Sequence, residues 1–174
     1  MPDDRVARGD SLEHLAVAVL DACRTRNWCL ATAESCTGGM VAAALTAVPG
    51  SSEAFERGYV TYSNRAKSEL LGVSAGLIDA RGAVSEAVCR DMAKGAVDRS
   101  QAQVALAITG IAGPTGGTPA KPVGLVYVAA SDGTRTIAKE LRVRDAEPTA
   151  DRARVRQLAA EASLTLLLSL LGEP

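Results

Sequence analysis

The sequence contains a single histidine, His14, and this scarcity limits the chemistry that the chain can perform. His14 falls in a predicted amphipathic helix near the N-terminal end, remote along the chain from every glycine-rich segment. A Ser-His-Asp or Cys-His catalytic group could use only this residue, and a metal site built from several histidines is excluded. We therefore expect His14 to be an ordinary helix-face residue, and hydrolytic chemistry here needs a different base.

Aromatic residues, long apolar runs and an excess of one charge are scarce as well. Aromatics make up 3% of the chain, so the core has to be built from Ala, Val and Leu. The net charge of −1 gives no general attraction to nucleic acid or to an acidic membrane surface. No apolar run reaches the ~18 residues that span a bilayer, and residues 1–10 have no signal-peptide core. The four cysteines lack a C-x-x-C pair, which predicts reduced thiols and a cytoplasmic location.

Apolar runs alternate with amphipathic stretches along the chain, and this pattern predicts one α/β domain over residues 11–174 after a flexible tail over residues 1–10. Five strands are expected, near residues 28–33, 58–62, 104–108, 123–130 and 134–143. Helical crossovers make the first three parallel, and Asp132-Gly133 between the last two favours a hairpin. A final helix is expected from about Pro148 to Leu171. The predicted architecture is a three-layer α/β/α domain with a mixed, mostly parallel sheet and a β-hairpin in its C-terminal half.

The segment Glu34-Ser35-Cys36-Thr37-Gly38-Gly39 joins the first predicted strand to a helix that starts near Met40. The free N–H groups in the first turn of a helix suit an anion, or an oxygen that becomes negative during a reaction. A serine at this place is either the N-cap of the helix or a nucleophile beside an oxyanion hole, and composition alone favours the N-cap.

Two more segments follow predicted parallel strands, and the carboxyl ends of parallel strands meet at the edge of the sheet where α/β proteins bind ligands. The first is Tyr62-Ser63-Asn64 and the second runs from Thr109 to Thr118. The second segment matches neither a Walker loop nor a dinucleotide fingerprint. Its glycines let the backbone approach a ligand closely, and an elaborate turn without a ligand is the alternative.

Lys67 lies near the start of the helix after the second strand, close to the same edge of the sheet. A surface position is the ordinary expectation for a lysine. If its amine instead faces the cleft, it could replace the missing histidine as the base, provided that burial and the helix dipole lower its pKa from about 10.4 toward neutrality. Tyr62 would then lie nearby and could relay or donate a proton. Cys36 is a rival to Ser35 as the nucleophile.

Five arginines gather around the last strand–helix junction. They are Arg142, Arg144, Arg152, Arg154 and Arg156. A solvated face balanced by neighbouring acidic residues is the plain interpretation of this cluster. A clamp for a phosphate group is the alternative.

Several motifs together resemble the CinA C-terminal domain family. They are Thr32 to Gly39, Phe55 to Asn64 with Lys67, Gly82 to Glu86, and Thr109 to Gly117 with Lys121 to Gly124. The resemblance spans about residues 11–171 in unchanged order, and it implies a single α/β/α domain. The best understood members are nicotinamide-nucleotide amidases, which hydrolyse the carboxamide of nicotinamide mononucleotide to the acid and ammonia. The resemblance implies Ser35 as the nucleophile and Lys67 as the base, with Tyr62 alongside.

The loops and the resemblance together give a set of candidate substrate-binding residues. They are Glu34, Cys36, Thr37, Gly38, Gly39, Asn64, Thr109, Gly110, Gly113, Gly116, Gly117 and Arg142. We expect no metal and no cofactor, a pyridine nucleotide as the small-molecule partner, no nucleic-acid or membrane partner, and a homo-oligomer (a dimer or higher). The alternative function is a non-catalytic nucleotide-binding module of the competence/damage-inducible CinA type.

Overall fold

A computed structural model of the chain describes residues 11–172, and the predicted tail over residues 1–10 lies outside the described residues. The described residues form five strands and seven α-helices. In chain order these are α1 (Leu12–Thr25), β1 (Leu30–Glu34), α2 (Met40–Thr46), β2 (Phe55–Val60), α3 (Asn64–Leu71), α4 (Ala75–Arg81), α5 (Glu86–Asp98), β3 (Val104–Gly110), β4 (Leu125–Ser131), β5 (Thr136–Arg142), α6 (Val143–Ala146) and α7 (Arg152–Leu171). Over residues 11–172, no helix combines the length and the apolar character needed to cross a membrane.

The strands form one mixed sheet with the order β2-β1-β3-β4-β5. Strand β1 runs parallel to both β2 and β3, whereas β3 and β4, and β4 and β5, are antiparallel. At the β4–β5 turn the Asp132 carboxylate accepts hydrogen bonds from the backbone N–H groups of Thr134 and Arg135, at 2.9 and 2.6 Å. The predicted mixed sheet and the hairpin are therefore confirmed.

Helices cover both faces of the sheet, and the alternation along β3 shows how. Val104, Leu106 and Ile108 belong to the core shared with α1, α2 and α7, while Ala105 and Ala107 face the core beneath α5. The small side chains on the second face suit a closely packed helix layer. Helix α3 also lies tightly on α5, because a Cβ atom added to Gly95 would stand 2.0 Å from the Leu71 carbonyl oxygen.

Two predicted boundaries were wrong, the start of the final helix and the start of the second strand. The final helix does not start at Pro148. Instead α6 is followed by a turn, and α7 starts after Asp151, whose side chain accepts a hydrogen bond from the Arg154 N–H group. Aspartate is a strong N-cap residue, so α7 starts at Arg152, four residues later than the proline suggested. Strand β2 starts at Phe55 rather than near residue 58, because Phe55 already pairs with Leu30.

Candidate active site

The turn between β1 and α2, residues 35–39, is shaped by a buried carboxylate. Glu34, the last residue of β1, is fully buried, and its side chain accepts hydrogen bonds from the backbone N–H groups of Gly39, Val41 and Ala42 at 3.1, 3.1 and 2.9 Å. These are the free donors at the start of α2, so Glu34 satisfies them and matches the positive end of the helix dipole. The N-cap interpretation of Ser35 was therefore wrong. Glu34 itself is placed inside the fold and does not line the cleft.

Ser35 instead pairs with Lys67, and both side chains are buried. The Lys67 Nζ lies 2.9 Å from the Ser35 Oγ and donates a second hydrogen bond to the Thr61 carbonyl oxygen at 2.7 Å. Lys67 is 1% exposed and Ser35 is 8% exposed. Helix α3 places the lysine, and the side chain of its N-cap residue Ser63 accepts a hydrogen bond from the Ala66 N–H group. The surface interpretation of Lys67 was wrong.

Burial controls the ionisation of the groups around Ser35. Burial lowers the pKa of Lys67, against a smaller opposing effect of the Cys36 and Cys89 thiols. The two hydrogen-bond partners of its amine, Ser35 and Thr61, are both uncharged. A lysine in such surroundings is biased toward the neutral amine, which accepts a proton from a hydroxyl group. Burial raises the pKa of Cys36 to about 11, so its thiol stays protonated near neutral pH.

A cavity of about 280 Å³ opens beside Ser35 and Lys67. Its lining residues are Ser35, Cys36, Tyr62, Asn64, Lys67, Ala83, Val84, Thr109, Gly110, Ile111, Ala112, Gly113, Thr115, Gly116 and Arg152. None of these is acidic. Among residues 11–172, no three His, Cys, Asp or Glu side chains lie together in a way that could hold a metal ion. The cavity therefore offers a serine, an amine and backbone groups, with an arginine at its edge.

Most of the predicted loop residues meet at this cavity, and several do not. Thr37, Gly38 and Gly39 belong to the β1–α2 turn without lining the cavity. Gly117 and Arg142 line a separate cavity of about 480 Å³ beneath the glycine-rich loop, and Arg142 forms an ion pair with Glu140 at 2.6 Å. The predicted Arg142 contact with substrate is thus placed away from Ser35.

Two groups at the cavity were missing from the predicted site. Arg152, in the first turn of α7, donates hydrogen bonds to the Gly113 carbonyl oxygen at 2.7 Å and to the Tyr62 hydroxyl oxygen at 3.1 Å. The arginine cluster in the sequence was the available signal, but it did not single out one member. Ala83 and Val84 also line the cavity, and the Thr109 hydroxyl donates to the Ala83 carbonyl oxygen at 2.9 Å. Both residues lie in the Gly82 to Glu86 motif of the family resemblance, which gave them no role in the site.

Tyr62 lies at the rim of the cavity and is 62% exposed. Its hydroxyl group accepts the hydrogen bond from Arg152 and has no hydrogen bond to Lys67 or Ser35 within the described part of the chain. Asn64 is exposed beside it. Tyr62 is thus placed to meet the outer part of a bound molecule.

The sequence matches a profile of the CinA C-terminal domain over residues 12–171. The chain belongs to the CinA C-terminal domain family. Among solved structures, the competence/damage-inducible protein CihA from Agrobacterium tumefaciens has a TM-score of 0.88 at 39% identity, covering 95% of this chain and 98% of that one. A CinA superfamily protein from Escherichia coli has a TM-score of 0.86 at 35% identity, with 95% and 94% of the two chains covered.

Relatives of two lengths share this domain. A CinA-like protein from Anaeromyxobacter dehalogenans is 51% identical over 160 residues, which are 91% of this chain but 37% of that protein. The chain thus spans little more than a third of the length of such relatives. A protein from Enterobacter agglomerans is 45% identical over 159 residues, which are 90% of this chain and 93% of that protein. That relative bears the name nicotinamide-nucleotide amidohydrolase PncC.

Burial of Lys67 predicts a pH dependence of stability. The lowered pKa means that the folded chain binds fewer protons than the unfolded chain at pH values between the folded pKa and 10.5, so its free energy of unfolding rises with pH in that window. Relative to a Lys67→Met variant, the wild type should become more stable as the pH rises toward 10.5. Urea unfolding at several pH values measures the difference.

The exposed Lys94, which pairs with Asp98 on the surface of α5, supplies the control. Lys94→Met should follow the wild type across the same pH range. Parallel curves for the wild type and Lys67→Met would show that the buried amine has an ordinary pKa.

Proposed function

We propose that this chain is a nicotinamide-nucleotide amidase, which hydrolyses the carboxamide of nicotinamide mononucleotide to the carboxylate and ammonia. The observation that carries the proposal is the buried Ser35–Lys67 pair beside a cavity, with 2.9 Å between hydroxyl oxygen and amine. Burying an amine without a carboxylate partner is unfavourable. A non-catalytic nucleotide-binding module gives no reason for this arrangement, whereas a serine that needs a base does. The name of the Enterobacter agglomerans relative supports the same activity.

The first step is attack by Ser35. The neutral Lys67 amine accepts the Ser35 hydroxyl proton as the Oγ forms a bond to the amide carbon, and the carbonyl electron pair moves onto its oxygen. The Thr61 carbonyl oxygen, 2.7 Å from the Nζ, holds the amine in line and stabilises the ammonium that forms. Cys36 is a poor alternative nucleophile, because burial raises the pKa of its thiol to about 11.

The developing oxyanion needs hydrogen-bond donors, and the β1–α2 turn limits the choice. The N–H groups of Gly39, Val41 and Ala42 already donate to Glu34. The Met40 N–H group donates to the Thr37 carbonyl oxygen at 3.2 Å, and that of Gly38 donates to the Ser35 carbonyl oxygen at 3.0 Å. The Cys36 and Thr37 N–H groups have no acceptor among residues 11–172. Cys36 and Thr37 are therefore the backbone donors of the turn that remain for the oxyanion in this mechanism, and such a donor is worth about 10²–10³ in kcat.

The remaining steps return the enzyme to its starting state. As the tetrahedral intermediate collapses, the C–N bond breaks and Lys67 gives its proton to the leaving nitrogen, which departs as ammonia. Water, deprotonated by the same amine, then attacks the Ser35 ester. The C–O bond to serine breaks as Lys67 returns this proton to the Ser35 Oγ, and the acid is released. The atoms come from the substrate, water and these two side chains alone.

Arg152 is the group that recognises the substrate phosphate in this proposal. It stands at the edge of a cavity whose described lining contains no acidic side chain, and two of its five N–H donors are used by Gly113 and Tyr62. The remaining donors make no hydrogen bond to the described part of the chain and can reach a phosphate oxygen. A charge-assisted contact of this kind holds the nucleotide while its pyridinium ring reaches toward Ser35.

The nucleophile assignment predicts opposite results for two neighbouring residues. Ser35→Ala should abolish ammonia release from nicotinamide mononucleotide, because no oxygen remains to attack the carbonyl, while nucleotide binding measured by calorimetry persists. Cys36→Ala should keep most of the activity. Retained turnover in the serine variant together with loss in the cysteine variant would assign the chemistry to the thiol.

The base assignment predicts that arginine cannot replace Lys67. The wild-type kcat/KM should rise with pH through an apparent pKa below that of an ordinary lysine, since burial lowers the pKa of Lys67. Lys67→Arg keeps the positive charge but cannot be deprotonated in this range, so it should be as inactive as Lys67→Ala. An active Lys67→Arg enzyme with only a higher KM would make this residue a charge anchor instead of a base.

The phosphate assignment predicts a loss that depends on the substrate. Arg152→Met should lower kcat/KM for the nucleotide about 10- to 100-fold, the equivalent of one charge-assisted contact, and should leave the slow hydrolysis of the nucleoside nearly unchanged. Arg142→Met is the matched control, because Arg142 lines the other cavity and pairs with Glu140. Equal losses on nucleotide and nucleoside would remove Arg152 from phosphate recognition.

A further inference from the structure

A second arginine of α7 holds the β1–α2 turn without reaching the cavity. The half-buried Arg156 donates from its Nε to the Cys36 carbonyl oxygen at 3.1 Å and from its Nη2 to the Thr37 carbonyl oxygen at 2.8 Å. It is not among the residues that line the cavity. The turn residue Gly38 has φ +60°, a backbone conformation that favours glycine, and a Cβ atom there would be in ordinary van der Waals contact with the Nη2 at 3.7 Å.

These two contacts fix the direction of the neighbouring N–H groups. In a planar trans peptide the C=O and N–H bonds point in opposite directions. When the Cys36 carbonyl points at Arg156, the N–H group of the same peptide, which belongs to Thr37, points away from it. The next peptide behaves in the same way, and its Gly38 N–H group donates to the Ser35 carbonyl oxygen at 3.0 Å.

The turn is therefore held by opposite charges at its two ends. The Glu34 carboxylate accepts hydrogen bonds from the N–H groups of Gly39, Val41 and Ala42. The Arg156 guanidinium donates to the Cys36 and Thr37 carbonyls that precede them. A carbonyl that accepts a hydrogen bond from a cation also makes its own peptide N–H a stronger donor. The contact between Arg156 and the Cys36 carbonyl therefore both orients the Thr37 N–H group and makes it a stronger donor.

We propose that Arg156 is a positioning residue, which holds the Thr37 N–H group toward the oxyanion formed at Ser35. The inference rests on the proposed function, because it takes Ser35 as the nucleophile. Arginine suits the role because its fork reaches two carbonyls at once, whereas the single ammonium of lysine is a point donor. Arg156 touches neither substrate nor the reacting atoms and acts through the turn.

Steady-state kinetics on nicotinamide mononucleotide test the role. Arg156→Met should lower kcat about 10- to 100-fold, part of the value of one oxyanion donor, with KM within about twofold of the wild type. The apparent pKa of kcat/KM should stay unchanged, because the surroundings of Lys67 are intact. Arg156→Lys should fall between the wild type and the methionine variant. A wild-type kcat in Arg156→Met, or a change confined to KM, would overturn the proposal.

The matched control is Arg154, which lies on the same helix, pairs with Glu147 at 2.7 Å and makes no hydrogen bond to the β1–α2 turn. Arg154→Met should keep kcat within about twofold. Circular dichroism and thermal melting show whether each variant is folded. If Arg156→Met is unfolded, Arg156→Lys decides, and a wild-type kcat in that variant overturns the proposal.

Labelling with an alkyl fluorophosphonate separates this inference from the choice of substrate. The Ser35 Oγ forms a bond to phosphorus, fluoride leaves and Lys67 takes the proton, so the reaction needs no pyridine nucleotide. Mass spectrometry should find the label on Ser35, formed at least tenfold more slowly in Arg156→Met than in the wild type. Equal labelling rates overturn the role of Arg156 even if the amidase activity is correct.

The remaining outcomes are also decisive. A wild type that is labelled but releases no ammonia contradicts the amidase proposal, and the labelling rates still decide the role of Arg156. A wild type that is not labelled at Ser35 and releases no ammonia overturns the nucleophile and the positioning role together.

Discussion

Desolvation of one amine organises the centre of this domain. Lys67 is 1% exposed, and within residues 11–172 its hydrogen-bond partners are the Ser35 hydroxyl and the Thr61 carbonyl. A charged lysine in that place would lose most of its hydration without a counter-ion, so the neutral form is favoured. The chain thereby obtains a basic nitrogen beside a serine without using its single histidine, His14, which stands exposed on α1.

The elements of the fold were largely predictable, since their signals are local. The Asp132-Gly133 turn joins two antiparallel strands, as the sequence predicted. The shared edge of three parallel strands followed from topology, and it brought the three polar loops to one cavity. The start of α7 was harder to predict, because a proline and an aspartate offered competing starts a few residues apart.

The internal details of the site depended on long-range geometry. The capping role of Glu34 requires the positive φ angles of Gly38 and Gly39, which turn the start of α2 back onto the carboxylate. The direction of the Lys67 side chain depends on how α3 lies against α5. Which arginines reach the loops depends on the crossing of α7, and this selected Arg152 and Arg156 rather than Arg142. No local sequence pattern predicts how these helices and the turn are oriented relative to one another.

The contacts of α7 have a consequence for the order in which the domain is completed. Arg156 and Cys36 are 120 positions apart along the chain, and Arg152 reaches Gly113 across 39 positions. During synthesis the β1–α2 turn leaves the ribosome long before the helix that braces it, and loops of this length close slowly. Until α7 docks, the serine-bearing turn lacks its guanidinium support and the cavity lacks one wall. The site is therefore complete only when the last described helix has packed, so a nascent chain contains the serine and the lysine well before they form an assembled site.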